Sequence, residues 1–265
     1  MKYFIKRIYI LFVRFGINPI AMYKFIIGIP FFIKDIFIFF NQGYKSKEKS
    51  YFSIGLPFPI LDERFKKSGS VSGHYFYQDL LVAQRIFENN PSVHLDIGSR
   101  VDGFVAHVAS FRKIEVLDIR SSEAEVENIK FKRADLMNFD NHLMNYCDSL
   151  SCLHALEHFG LGRYNDPIQF DGYLDGLDSI YKILKQGGTF YLSVPIGKQR
   201  VEFNGHRVFA VKYLLRLFQD KYIVDNFSFI DDKGNFNKNV EMNDIDIDNN
   251  FNCYYGCGIF EMTKL

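Results

Sequence analysis

The sequence predicts an α/β protein built on a doubly wound, mostly parallel sheet, and three observations carry that prediction. From residue 93 onward, short apolar runs alternate with segments of helical periodicity, the pattern of parallel strands joined by crossover helices. The first run, 93–97, contains Asp96 and passes through Gly98 toward a helical segment at 104–110. A carboxylate closing a buried strand, followed by a glycine that admits a ligand to the backbone, is how such sheets open a nucleotide site. Two further runs, 114–117 and 129–132, lead to Asp118 and Asp135, so three strand-end carboxylates follow one another in order.

Taken in order, residues 1–50 read as a basic-aromatic helical extension. Lys2, Lys6, Arg7 and Arg14 stand among Ile, Leu, Phe and Tyr, and 19–40 is apolar apart from Tyr23, Lys24, Lys34 and Asp35. No secretory signal with a small-residue cleavage site is found. A spanning helix needs about 20 apolar residues, whereas the longest clean run, 25–33, is short and contains Pro30. Two readings of 1–41 stay open: an interfacial helix making peripheral contact with an anionic membrane, or a helical extension packed on the domain or on a second subunit of a homodimer. Packing is the preferred of the two.

Residues 51–74 form a connector, preceded by a Lys/Ser run at 45–50 and containing the turn-rich 55–59. The domain proper is expected over 75–265. Leu80, Leu81, Ala83, Ile86 and Phe87 recur at helical spacing, which predicts a helix over 75–89. Residues 148–153 form a fourth strand. Tyr173, Leu174, Leu177, Ile180, Tyr181 and Leu184 make the stripe of a helix expected to stop at Gly187-Gly188, before a strand over 189–194. A short helix at 211–218, a strand at 222–230, an exposed Asp/Asn-rich connection at 231–252 and a last strand at 257–263 complete the chain.

A net charge of +1 gives no support to a nucleic-acid partner, which needs a concentrated excess of Lys and Arg. The cysteines, Cys147, Cys152, Cys253 and Cys257, have neither paired Cys-x-x-Cys spacing nor a nearby histidine pair and read as reduced core thiols of a cytoplasmic protein. Asp102, Asp118, Asp135 and Asp166 show no metal-ligand spacing, and no metal is expected.

Asp96-x-Gly98, Asp118, Asp135-Leu136, the segment 148–158 ending in His154-Ala155-Leu156-Glu157-His158, and 184–195 together resemble class I S-adenosylmethionine-dependent methyltransferases. More narrowly, 73–79, 96–111, 161–167 and 203–207 resemble a methyltransferase-like family of unassigned function met in bacterial surface-polysaccharide gene clusters. The resemblance implies a Rossmann-like, seven-stranded sheet with the last strand antiparallel, S-adenosylmethionine as cofactor, and methylation of a sugar or glycan precursor, small or lipid-linked, at the inner face of the membrane or in the cytoplasm. The chain departs from the pattern after Gly98: Arg100 and Asp102 stand where further glycines are usual, and the next glycine is Gly103. Arg100 could narrow the methionine subsite or pair with its carboxylate.

The cofactor pocket is therefore expected to involve Asp96, Gly98, Ser99, Arg100, Asp118, Ile119, Asp135 and Leu136, with Asp118 accepting from two ribose hydroxyls. Methylating a hydroxyl requires positioning and removal of its proton. His154, at a strand end, is the first candidate base and His206 the second. His74, Tyr75, Glu157, Arg163, Tyr164, Asn204 and Arg207 are expected around the substrate, the two arginines gripping a phosphate or carboxylate. Two other readings stand beside this one. One is a catalytically silent protein of the same fold that binds a glycan precursor or a protein partner. The other is an enzyme using a different nucleotide, against which the missing glycines count, because a pyrophosphate needs close backbone approach.

Overall fold

The computed structural model describes residues 2–47, 55–65 and 73–265. Residues 51–54 and 66–72 of the expected connector, and 48–50 of the Lys/Ser run, lie outside the described residues. The chain divides into two compact units, Met1–Ser70 and Val71–Leu265.

The first unit contains α1 (Lys2–Arg14) and α2 (Pro19–Lys45). Asn18 caps α2 by accepting from the Ala21 N–H at 3.0 Å, and Pro19 occupies the first turn, where its missing N–H costs nothing. The helix continues through Pro30. Gly28 is buried against Leu61: a Cβ there would lie 2.6 Å from the Leu61 carbonyl oxygen, so only glycine fits. Arg64 pairs with Asp35 and lies over the Phe31 ring. Among the described residues, no helix is long and apolar enough to cross a membrane.

The second unit is the α/β domain. Its main sheet runs β3-β2-β1-β4-β5-β10-β8-β9. Five parallel strands, β1 (His94–Ile97), β2 (Ile114–Asp118), β3 (Ile129–Arg133), β4 (Cys147–Leu153) and β5 (Leu184–Ile196), lie beside β10 (Gly256–Lys264) and β8 (Tyr222–Ile230). These are the seven expected strands. β10 is antiparallel to both its neighbours, and the two-residue β9 (Phe236–Asn237) adds an eighth strand at the edge.

Helices cover both faces. On one, α3 (His74–Asn89) and α4 (Ala106–Ala109) pack Leu81, Val82, Ile86 and Val108 against Ile114, Val116 and Tyr191. On the other, α5 (Gly172–Ile183) and α6 (Val211–Phe218) pack Leu177, Ile180, Leu214 and Phe218 against Leu95, Leu150, Leu192 and Phe260. Each fully buried aliphatic side chain contributes about 1.5–3 kcal/mol. Because side chains alternate along a strand, Leu95 and Ile97 of β1 join the α5/α6 core, while His94 and Asp96 turn to the α3/α4 face.

Three expectations change. The helix at 171–185 ends at Ile183, and β5 starts at Leu184 and runs through Gly187-Gly188, because buried Leu184 pairs with Cys147 and Lys264 Nζ donates to the Tyr181 and Leu184 carbonyls at 2.6 Å. The segment at 104–110 begins with a wide turn over Val101–Val105, non-helical at Gly103, before α4. The Asp/Asn-rich connection contains β9, α7 (Asp244–Asp248) and a buried Phe251 packed 4.9 Å from Phe227.

Candidate functional site

The carboxyl ends of β1, β2, β3 and β4 form a cleft lined by Gly98, Asp118, Ile119, Arg120, Asp135, Leu136, Met137, His154 and Tyr164. It continues into a second lobe that Tyr75, Ser99, Arg100 and Asp102 border. Parallel α/β sheets place ligands at this edge.

Beneath the turn after β1 runs a buried polar chain. Asp96, fully buried, accepts from Ser99 N–H (3.0 Å), Ser99 Oγ (2.7 Å) and Ser151 Oγ (2.6 Å). Since Ser151 gives its proton to Asp96, it accepts from His94 Nε2 at 3.1 Å, leaving His94 Nδ1 to accept from Ser149 Oγ at 2.8 Å. His94 is thus a neutral imidazole carrying its hydrogen on Nε2. Burial pushes it down to about 3, with Arg112 acting in the same sense. Burial pushes Asp96 up to about 6, against the hydrogen bonds from Ser151 and Ser99. Asp96 therefore shapes the turn from below rather than lining the cleft. Gly98 sits above it at φ 66°, where a Cβ would meet Ala155 Cβ at 3.1 Å.

At the end of β2, Asp118 lines both lobes, but its oxygens are engaged by Arg120: Nε at 2.9 Å and N–H at 2.8 Å on Oδ1, Nη2 at 2.6 Å on Oδ2. The Arg120 guanidinium also lies 4.6 Å from the Tyr164 ring, whose other cation contact is Arg163 at 5.2 Å. Asp135 turns the chain after β3 by accepting from Met137 N–H at 2.9 Å. Arg100 forks onto Asp102 at 3.1 and 2.9 Å and rests over Tyr75, in the lobe beside Gly98. The arrangement offers an apolar slot at Ile119, Leu136 and Met137 for a planar base and a carboxylate for vicinal hydroxyls.

After β4, His154 takes a left-handed backbone (φ 52°), and its N–H donates to the Ser193 carbonyl at 2.9 Å. This aims the imidazole between the cleft and the interior, with the side chain 4% exposed. Its Nδ1 meets Glu157 Oε1 at 2.7 Å, and its ring stacks on His74 at 5.2 Å. Among the described residues, Nε2 makes no hydrogen bond of good geometry beyond its interaction with Cys257. Burial opposes charge on His154, but the Glu157 carboxylate hydrogen-bonded to its Nδ1 pushes it well above the usual histidine range. Glu157 is also buried; the neighbouring His154 outweighs that burial and holds the carboxyl below its usual value. The expected base is therefore tied through Nδ1 to a buried carboxylate that favours its protonated form, rather than offering a free lone pair.

The remaining expected residues divide. Tyr75 and Tyr164 border the cleft. His206, Asn204, Arg163 and Arg207 line neither lobe. His206 stands at the far end of a ring series, 4.9 Å from Tyr255, which itself stacks on His74 at 5.6 Å; burial lowers its pKa. Arg207, expected to grip an anion, is buried, with Nη1 donating to the Phe159 carbonyl at 2.6 Å and Nη2 to the Phe170 carbonyl at 2.8 Å, which ties down the loop after β4. Arg163 donates to the Gly205 carbonyl at 2.9 Å and packs on Tyr164. Asn204 is exposed in the hairpin of β6 (Arg200–Glu202) and β7 (His206–Val208), between the strand expected at 189–194 and the helix at 211–218. Arg120, Met137 and the His94–Ser151 chain were missed. Arg120, two residues past Asp118, was the one visible signal.

The order of the seven long strands and the cleft at their carboxyl ends define a Rossmann-like methyltransferase fold. The chain belongs to the family described as "Caenorhabditis protein of unknown function, DUF268", whose model matches residues 105–254. That description names no polysaccharide and no bacterial gene cluster. No curated protein matches the chain. Among solved structures, it is similar to the [4+2]-cyclase SpnF, with a TM-score of 0.51 and 13% identity over 71% of this chain and 80% of that one. It is also similar to a Burkholderia thailandensis 1,6-didemethyltoxoflavin-N1-methyltransferase solved with bound 1,6-didemethyltoxoflavin and S-adenosylhomocysteine, with a TM-score of 0.51 and 15% identity over 73% of this chain and 79% of that one. These likenesses show the fold.

Proposed function

We propose that the chain binds S-adenosylmethionine in this cleft and transfers its methyl group to a hydroxyl of a sugar or glycan precursor. The observation that carries the reading is the placement of Asp118, Asp135 and Leu136 around one cleft beside the Gly98 turn. The cofactor, when bound, supplies an electrophilic methyl group. Asp118 would hold its ribose, Ile119, Leu136 and Met137 its base, and Gly98 and Ser99 the approach of its amino-acid end. Tyr75, Tyr164 and His154 border the space left for an acceptor, and the buried His154–Glu157 hydrogen bond fixes the orientation of that wall; as the methyl group moves to the hydroxyl oxygen, the hydroxyl proton leaves to solvent at the open cleft. Incubation with methyl-labelled S-adenosylmethionine and nucleotide-sugar or lipid-linked acceptors should release S-adenosylhomocysteine in step with labelled acceptor; cofactor binding without release for any acceptor would refute the transferase reading.

The second reading, a protein that binds ligand without methyl transfer, is favoured by the engagement of both Asp118 oxygens by Arg120 and by a similar fold in a protein described as a cyclase.

For residues 1–41 we propose peripheral contact with an anionic membrane, which would bring the site to a lipid-linked acceptor. Phe15, Tyr23, Ile26, Phe37 and Phe39 are exposed, and Arg14, Lys24 and Lys34 supply positive charge. The intact chain should sediment with phosphatidylserine vesicles and lose this on deletion of 1–41. If it stays in the supernatant, packing on another protein surface replaces the membrane.

A further inference from the structure

We propose that His74, His154 and Cys257 form a binding site for one zinc-class divalent ion. They come from the start of α3, the turn after β4 and the start of β10, and their donor atoms lie within 4.8 Å of one another. No pairing of these residues is visible in sequence, because each arrives on a different element.

Two observations beyond proximity point to an ion. First, among the described residues His154 Nε2 makes no hydrogen bond of good geometry beyond its interaction with Cys257, on a side chain only 4% exposed, a costly arrangement for a polar nitrogen unless a ligand completes it. Second, the other nitrogen of the same ring is fixed by Glu157 at 2.7 Å, the carboxylate–histidine arrangement that orients metal-bound imidazoles and raises their basicity. Tyr255 stacks on His74 and limits its ring orientation.

Two imidazoles and a thiolate suit zinc, which binds nitrogen at about 2.0–2.1 Å and sulfur at about 2.3 Å in tetrahedral geometry. Those bonds place donor atoms roughly 3.3–3.8 Å apart, so the widest pair must close by about 1 Å. The half-buried His74 ring, parallel to that of His154 with 3° between their planes, must turn as well as shift so that its lone pair meets the same ion, whereas His154 and Cys257 are held in the core. On binding, the Cys257 thiol and the His154 imidazolium each release a proton to solvent, and the sulfur and Nε2 lone pairs form the bonds. Cys257 Sγ then gives up its weak 3.7 Å contact with Gln78 Oε1. Three protein ligands leave a fourth position, and His154 also lines the cleft.

The test is titration of the full-length, reduced protein with cobalt(II), which reports tetrahedral sulfur ligation by its visible bands and its thiolate charge-transfer band. One equivalent of cobalt should produce both, and zinc should displace it. Cys257→Ser should lose the charge-transfer band and bind at least about tenfold more weakly, since one ligand is gone. His206→Ala, at the far end of the ring series, should bind as wild type. Should Cys257→Ser fold poorly, the wild-type melt decides alone: zinc should raise it at one equivalent. Asp118→Ala should keep the cobalt spectrum, which separates this site from the cofactor reading. A wild-type protein with no thiolate band, or with no zinc-dependent shift, overturns the proposal.

Discussion

Asp118→Ala is expected to weaken S-adenosylhomocysteine binding roughly a hundredfold, about 3 kcal/mol, while Arg120→Ala leaves it unchanged or tightens it a few-fold. The asymmetry follows from what each residue does at the cleft. Asp118 would exchange its contacts with Arg120 for two ribose hydroxyls, each hydrogen bond to a carboxylate being worth about 1.5–3 kcal/mol. The Arg120 guanidinium is more than half exposed, and an ion pair of that kind contributes no more than about 1 kcal/mol. The ribose therefore wins the carboxylate, and Arg120 retains Tyr164 as a resting place. Isothermal titration of both variants checks this. Equal affinities for wild type and Asp118→Ala would take the residue out of the site.

The buried chain under the Gly98 turn predicts two opposite pH dependences that nearly cancel in the wild type. His94 is held neutral down to about 3, whereas in the unfolded chain it takes up a proton near 6.5. Below that value the unfolded state binds the extra proton, so His94 costs stability as pH falls, by about 3 kcal/mol between pH 6.5 and 4. Asp96 behaves in the opposite sense. Folded, it keeps its proton up to about 6; unfolded, it loses it near 3.9, so its penalty grows as pH rises through that window, by up to about 3 kcal/mol. Asp96→Asn should therefore unmask the acid lability of His94, losing about 2 kcal/mol more than wild type between pH 6.5 and 4. His94→Asn, which can still donate to Ser151 and accept from Ser149, should gain stability relative to wild type over the same range. Urea unfolding at both pH values measures the two slopes, and parallel slopes in all three proteins would contradict the neutral His94 and protonatable Asp96.

The same chain shows where sequence reading stops. Apolar runs located β1 to β5, β8 and β10, because the buried strands are apolar almost throughout and even the half-exposed β3 keeps Ile129 and Phe131 at alternate positions. They gave no warning that His94 and Asp96 face one side of β1 and meet Ser149 and Ser151 across β4, since cross-strand register is not written in either strand alone. The hairpin of β6 and β7 escaped because its strands are three residues each, and α7 because Asp and Asn in its sequence favour turns as readily as a helix start. Asp118, Asp135 and Leu136 were legible as strand ends. The burial of Arg207 was not, because an arginine in a loop reads as exposed until the carbonyls that hold it, from Phe159 and Phe170, are placed in space.

The central claim is that this cleft takes S-adenosylmethionine, and isothermal titration of the full-length protein with S-adenosylhomocysteine tests it most directly. One site is expected, with a dissociation constant on the order of micromolar, about −8 kcal/mol, and no comparable binding of nicotinamide dinucleotides. Absence of binding, alongside saturable binding of a nucleotide sugar, would mean that Arg100, Asp102 and Arg120 close the cleft to the cofactor and that the fold serves another ligand.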